Sequence, residues 1–114
     1  TFQPLEQKPA FIHNDYKFDN VVWDIDLKNI IGVLDWEMAT VGDPLMDFGG
    51  TLAYWCEATD SDFLKMFNIS WLNGCPKRSE ISAYYAAKTG RNLRDIHFYF
   101  IFGLMPIADS IVPA

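Results

Sequence analysis

The apolar period of this chain changes once, at Pro44, and that change constrains the fold more than any other feature. Upstream, apolar residues fall in two short β-branched runs, Val21-Val22-Trp23 and Ile30-Ile31-Gly32-Val33-Leu34, separated by the polar stretch Asp24-Ile25-Asp26-Leu27-Lys28-Asn29. Two strands around a turn rich in Asp and Asn predict a β-hairpin. Downstream, Asp43 can cap a helix that carries Pro44 at its first position, and Leu45, Phe48, Leu52 and Trp55 recur at helical spacing. A short helix is expected around Phe63, Leu64 and Phe67, followed by an irregular segment at Asn73-Gly74-Cys75-Pro76. Ser79 predicts the N-cap of a helix bearing Ile81, Tyr84 and Tyr85 and ending at Gly90. A last helix is expected from Leu93 or Arg94 to about Ile111, kinked by Pro106. A hairpin followed by helices, with no internal repeat, is an α+β chain.

Composition bounds the function. In 114 residues, 50% are hydrophobic and 16% aromatic, enough for the core of one folded domain. A formal charge of −6 argues against a surface built to neutralise nucleic acid or lie on anionic lipid. The most apolar stretch, Phe98 to Ala108, is shorter than the roughly 20 residues of a membrane span and contains Pro106, so a buried helix is expected. Its aromatics Phe98, Tyr99, Phe100 and Phe102 fit either core or an acyl or aromatic substrate pocket, with core the expectation. Two cysteines, Cys56 and Cys75, with no signal peptide before them, suit free thiols in a cytoplasmic compartment. The opening TFQPLEQKP, with two prolines, reads as a connecting segment, so residues 1–10 are expected to be a linker.

Polar residues cluster at His13-Asn14-Asp15-Tyr16-Lys17-Phe18-Asp19-Asn20 and at Asp35-Trp36-Glu37. Because antiparallel strands return the chain beside its origin, the hairpin brings these two segments to the same end of the sheet. Asn20 and Asp35 can then share a cation while Asp15 faces the same space. That set suits phosphoryl transfer, which needs oxygen ligands for Mg²⁺ and a separate carboxylate for the acceptor hydroxyl. Taken singly, Asp15 and Asn20 also fit satisfied turns, and Asp19 and Glu37 read as solvated. A calcium loop starting at Asp24 fails, because Lys28 and Asn29 occupy its fifth and sixth positions and the flanks read as strands. His13, Cys56, Cys75 and His97 lack zinc-pair spacing, and no serine nucleophile elbow occurs.

HNDYKFDN followed by VLDWEMATVGDPLMDFGG resembles the catalytic and metal-binding segments of the aminoglycoside phosphotransferase and choline kinase superfamily. Within it, the chain is most similar to the phosphotransferase-like domains related to those fused to acyl-CoA dehydrogenases; YYAAKTGRNL and FYFIFGL share that likeness. The resemblance implies the mainly helical C-terminal lobe of a protein-kinase-like fold over residues 11–114, with the catalytic loop on a β-hairpin. It implies Asp15 as catalytic base, Asn20 and Asp35 as Mg²⁺ and ATP ligands, and His13, Asp43 and Asp47 as structural support. Asn14 stands where the family usually has Gly, which predicts a left-handed backbone there. ATP and a hydroxylated small molecule would be the reactants. The family's N-terminal lobe matches nothing here, and no GxxxxGK[ST] or GxGxxG substitutes for it. Catalysis would then belong to a longer chain that supplies that lobe, and a noncatalytic kinase-like binding or scaffolding module is the alternative.

Overall fold

The computed structural model describes residues 2–109. Its organising element is the helix α1 (Pro44–Tyr54), which begins where the apolar period changes. Asp43 is extended, and its Oδ1 accepts the Leu45 N–H at 2.9 Å, with Pro44 at the first helical position, where a missing N–H costs nothing. Leu45, Gly49, Leu52 and Ala53 form its buried stripe. That stripe packs against α4 (Ile96–Asp109), and two glycines set how closely. A Cβ on Gly49 would stand 2.6 Å from the Tyr99 carbonyl oxygen, and one on Gly103 2.8 Å from that of Gly49. Phe48 and Trp55, two of the helical-spacing residues, are only half-buried; Phe48 stacks on Tyr85 with ring centroids 3.9 Å apart.

The predicted hairpin is present as β2 (Val21–Trp23) and β3 (Ile30–Val33), antiparallel with Val21 opposite Val33 and a bulge between Val22 and Trp23. The second strand stops one residue before Leu34. Asp24 closes the turn by accepting the Lys28 N–H at 2.8 Å and the Asn29 side-chain amide at 2.9 Å, and these bonds, led by that from Asn29, hold its carboxyl below the usual range. A further two-stranded sheet, not anticipated from the sequence, pairs β1 (Ala10–Ile12) with β4 (Thr40–Gly42), Phe11 opposite Val41. Three-residue strands are too short to show an alternation. Residues 2–9 carry no regular element, yet the Leu5 N–H donates to Asp95 at 2.6 Å and the Phe2 ring lies 5.4 Å from Phe98.

Three helix expectations need correction. The helix α3 (Arg78–Thr89) is capped at Lys77, not Ser79, because the Glu80 carboxylate accepts the Lys77 N–H at 3.1 Å; Gly90, with φ of 70°, ends it as predicted. The last helix starts at Ile96, and its expected end at Ile111 lies outside the described residues. It continues through Pro106 to Asp109. Nor is it a buried helix, for only Tyr99 and Ile107 are buried along it, while Ile101 is 61% and Met105 57% exposed. The short helix α2 (Asp62–Lys65) is capped by Ser61, and residues 73–76 are irregular. Arg78 ties these parts together, donating to Trp55 O at 2.7 Å and to both Asp60 oxygens at 2.7 and 3.0 Å, over the face of Phe100. Cys56 is buried and Cys75 exposed, both as free thiols, and no described helix is long and apolar enough to cross a membrane.

Candidate active site

The polar positions of α1 recur every fourth residue, Asp43, Asp47 and Thr51, and so share one side of the helix. Two of them hold the 13–20 loop. Asp47 accepts the His13 N–H at 2.8 Å and the Asn14 N–H at 3.0 Å, one on each carboxylate oxygen. Thr51 donates its hydroxyl to the Tyr16 carbonyl at 2.6 Å. Between these anchors Asn14 is left-handed, with φ of 70°, and its side-chain amide donates to Met38 O at 3.1 Å. The left-handed turn anticipated for Asn14 is therefore present, and Asn adopts it with less penalty than most residues.

His13 is buried and joins the two segments of the cluster. Its Nδ1 accepts the Asp15 N–H at 3.1 Å, which leaves the proton on Nε2 to be donated to Leu34 O at 2.8 Å. Trp36 covers the imidazole edge-on at 4.6 Å and stacks on Phe11. The loop closes on Asn20, also buried, at the end of a 3-10 turn over Phe18–Asn20. The Asn20 amide donates to Asp15 twice, to its carbonyl at 2.7 Å and to its Oδ2 at 3.1 Å. The Leu34 N–H donates to Asn20 O at 2.7 Å, so Asp35 follows directly on the residue bonded to Asn20. Asp35 itself is left-handed, with φ of 63°, and exposed.

Every residue singled out in the sequence is thus placed. His13, Asp15, Asn20 and Asp47 form one bonded set, Asp35 borders it through Leu34, and Asp43 stands apart at the start of α1. Three residues in or beside the site were assigned no role in it from the sequence. Thr51 carries a faint signal, a polar residue one turn past Asp47 on an otherwise apolar helix. Lys17 lies 3.8 Å from Asp15 Oδ1 and 4.6 Å from the centre of the Tyr54 ring, facing an apolar cavity of about 170 Å³ that Tyr16, Phe18, Trp23 and Trp55 help to line. Tyr99, 56 residues away in sequence, donates its hydroxyl to Asp43 Oδ2 at 2.6 Å. Burial first, and the Asp43 carboxylate second, push its phenol up, so it remains a donor across the physiological range.

Among the described residues no group of three His, Cys, Asp or Glu side chains could hold a metal alone. The Asn20 and Asp35 side-chain oxygens are a different kind of donor: two hard oxygens which, if both met one cation, would leave most of an octahedral shell to water and phosphate. Such a set fits Mg²⁺.

Known proteins are similar to this chain in sequence and in fold. The family model of the phosphotransferase enzyme family matches residues 2–84. Acyl-CoA dehydrogenase family member 10 of Mus musculus is 27% identical over 92% of this chain, and family member 11 of Homo sapiens 30% identical over 76%. The chain spans only 10% and 11% of the lengths of these relatives. A crystal structure from Ralstonia eutropha, of a protein assigned as an aminoglycoside phosphotransferase, superposes with a TM-score of 0.72 at 30% identity, covering 90% of this chain and 32% of that one. Its α+β, kinase-like fold is the fold described above. With the family model spanning the 13–20 loop, the hairpin and the whole of α1, the chain belongs to the phosphotransferase enzyme family.

Proposed function

We propose that this chain is the C-terminal lobe, over residues 11–114, of an ATP- and Mg²⁺-dependent small-molecule kinase that moves the γ-phosphoryl group to a substrate hydroxyl. The observation that carries the reading is the Asp15–Asn20 pair, joined at 3.1 Å on a loop whose backbone is held by α1 on either side of Asp15, at Asn14 and at Tyr16. Asp15 is the base that orients the acceptor hydroxyl and takes its proton. The Asn20 amide, by donating to Asp15, turns its own carbonyl oxygen away from that carboxylate and leaves it for the cation, with Asp35 as the second ligand. Mg²⁺, when bound, neutralises charge on the phosphate oxygens. His13 and Asp47 fix the loop, and Asp43 fixes the helix that carries Asp47. The nucleotide pocket and the phosphate-binding lysine come from an N-terminal lobe of the full-length protein, joined through residues 1–10, in the cytoplasm.

The test is Asp15→Asn in the full-length protein, with ADP release followed across a panel of hydroxylated metabolites. Asn keeps the shape of Asp15 but cannot accept a proton, so turnover is expected to fall by at least about a hundredfold with MgATP binding retained. Normal turnover by the variant would remove Asp15 as the base. A wild-type protein that binds MgATP but phosphorylates nothing in the panel would favour the noncatalytic module.

A further inference from the structure

We infer that Tyr99 is a positioning residue for the Asp15 loop: its hydroxyl, delivered from α4, clamps the Asp43 carboxylate and so sets where α1 presents Asp47 to that loop. The kinetic consequence rests on the phosphotransferase reading; the positional claim does not.

Four hydrogen bonds make the link. Tyr99 donates to Asp43 Oδ2 at 2.6 Å, Asp43 Oδ1 accepts the Leu45 N–H at 2.9 Å, and Asp47, one turn further along α1, accepts the His13 and Asn14 N–H groups. An N-cap needs only one acceptor oxygen, so the cap alone does not call for the second bond. At 2.6 Å that bond is a short charge-assisted one. Tyr99 is 3% exposed, and its backbone packs directly on Gly49 of α1, so the ring has little freedom to swing away. The glycine contact is a close approach of backbone to backbone and by itself makes no directed bond along the helix axis. The hydroxyl supplies that direction, fixing the first turn of α1 against α4.

Tyr99→Phe keeps the backbone contact with Gly49 and the buried ring and removes only the donor, so the variant is expected to fold. In the full-length protein, two readouts apply. Amide exchange of a peptide spanning residues 12–16 is expected to quicken on the order of tenfold, the loss of a hydrogen bond to a charged group. Slow hydrolysis of MgATP, with water replacing the alcohol, is expected to lose a similar factor in kcat while KM for MgATP stays within about twofold. In an Asp43→Asn background the Tyr99→Phe effect should shrink, because the two act in series. Unchanged exchange at residues 12–16 overturns the proposal. So does a lowered melting temperature with unchanged kcat per folded molecule, which is a packing role only. A full-length protein without any MgATP turnover would instead count against the phosphotransferase reading, and the exchange measurement would still decide the role of Tyr99.

Discussion

Asp47 is the residue on which most of the local geometry converges. Its carboxylate accepts two consecutive backbone N–H groups, those of His13 and Asn14, on a loop whose left-handed residue prevents either from joining a strand ladder. Asp47→Ala leaves both donors half-buried without a partner, at a cost of roughly 2–4 kcal/mol. Urea unfolding of the 114-residue chain is expected to show that loss as a lower midpoint with an unchanged slope; a stability loss under about 0.5 kcal/mol would mean that water replaces the carboxylate. Asp15 and Asn20 were legible as a pair because they lie five apart, and Asp43 because it precedes Pro44, whereas Asp47, 34 positions from His13, was expected only through the resemblance of its segment to a known family. Tyr99, read only as core or pocket lining, and Thr51 were not tied to their partners. Each bonds to a partner at least 35 positions distant, Tyr16 for Thr51 and Asp43 for Tyr99, and no one-dimensional pattern encodes such a pairing.

Between elements, the crossing of α1 and α4 is the contact that fixes the site from behind. It depends on two residues without side chains, Gly49 and Gly103, placed backbone to backbone. Gly49→Ala would put a methyl group 2.6 Å from the Tyr99 carbonyl oxygen, a distance that only a shift of one helix relieves. Overpacking of this sort costs about 1–3 kcal/mol, which outweighs the roughly 1 kcal/mol that alanine gains over glycine in helix propensity. Gly50→Ala, next in sequence but with nothing within 4 Å of the added atom, is the control and should be neutral or stabilising. Thermal melts of the two variants separate packing from propensity, and equal melting temperatures would refute the tight crossing. The existence and start of α1 could be read from Asp43-Pro44 and its apolar spacing. That its flattest point is a helix contact could not, since FGGTL is as consistent with a turn. The sheet of β1 and β4 was hidden similarly, its three-residue strands pairing residues 28 to 32 positions apart.

The whole molecule exposes more surface than a self-sufficient domain of its mass. Its accessible area is 8015 Å², against about 6,400 Å² expected for a folded monomer of this size. Its radius of gyration is 14.6 Å, against about 13 Å expected. Exposed large apolar side chains occur along the whole chain, and three of them share α4: Ile101, Phe102 and Met105 are 61, 43 and 57% exposed, on a helix whose composition read as buried. The sequence was right about the hydrophobicity of that helix and misleading about its environment, because burial depends on what else is packed there. Only 32% of the Ralstonia eutropha chain is matched, so in a full-length phosphotransferase other segments would be available to cover this face. Without them, water-exposed area at about 25 cal/mol per Å² favours association of the 114-residue chain with itself. Sedimentation velocity is expected to show concentration-dependent oligomers. Replacing Ile101 and Met105, one turn apart on the same face, with Glu should return the chain to monomer while leaving its melting temperature within a few degrees, since neither side chain contributes to the core. A wild-type chain that stays monomeric at every accessible concentration would show that the α4 face is tolerated in water, and with it the more exposed tip of the hairpin, where Ile25 is 98% exposed.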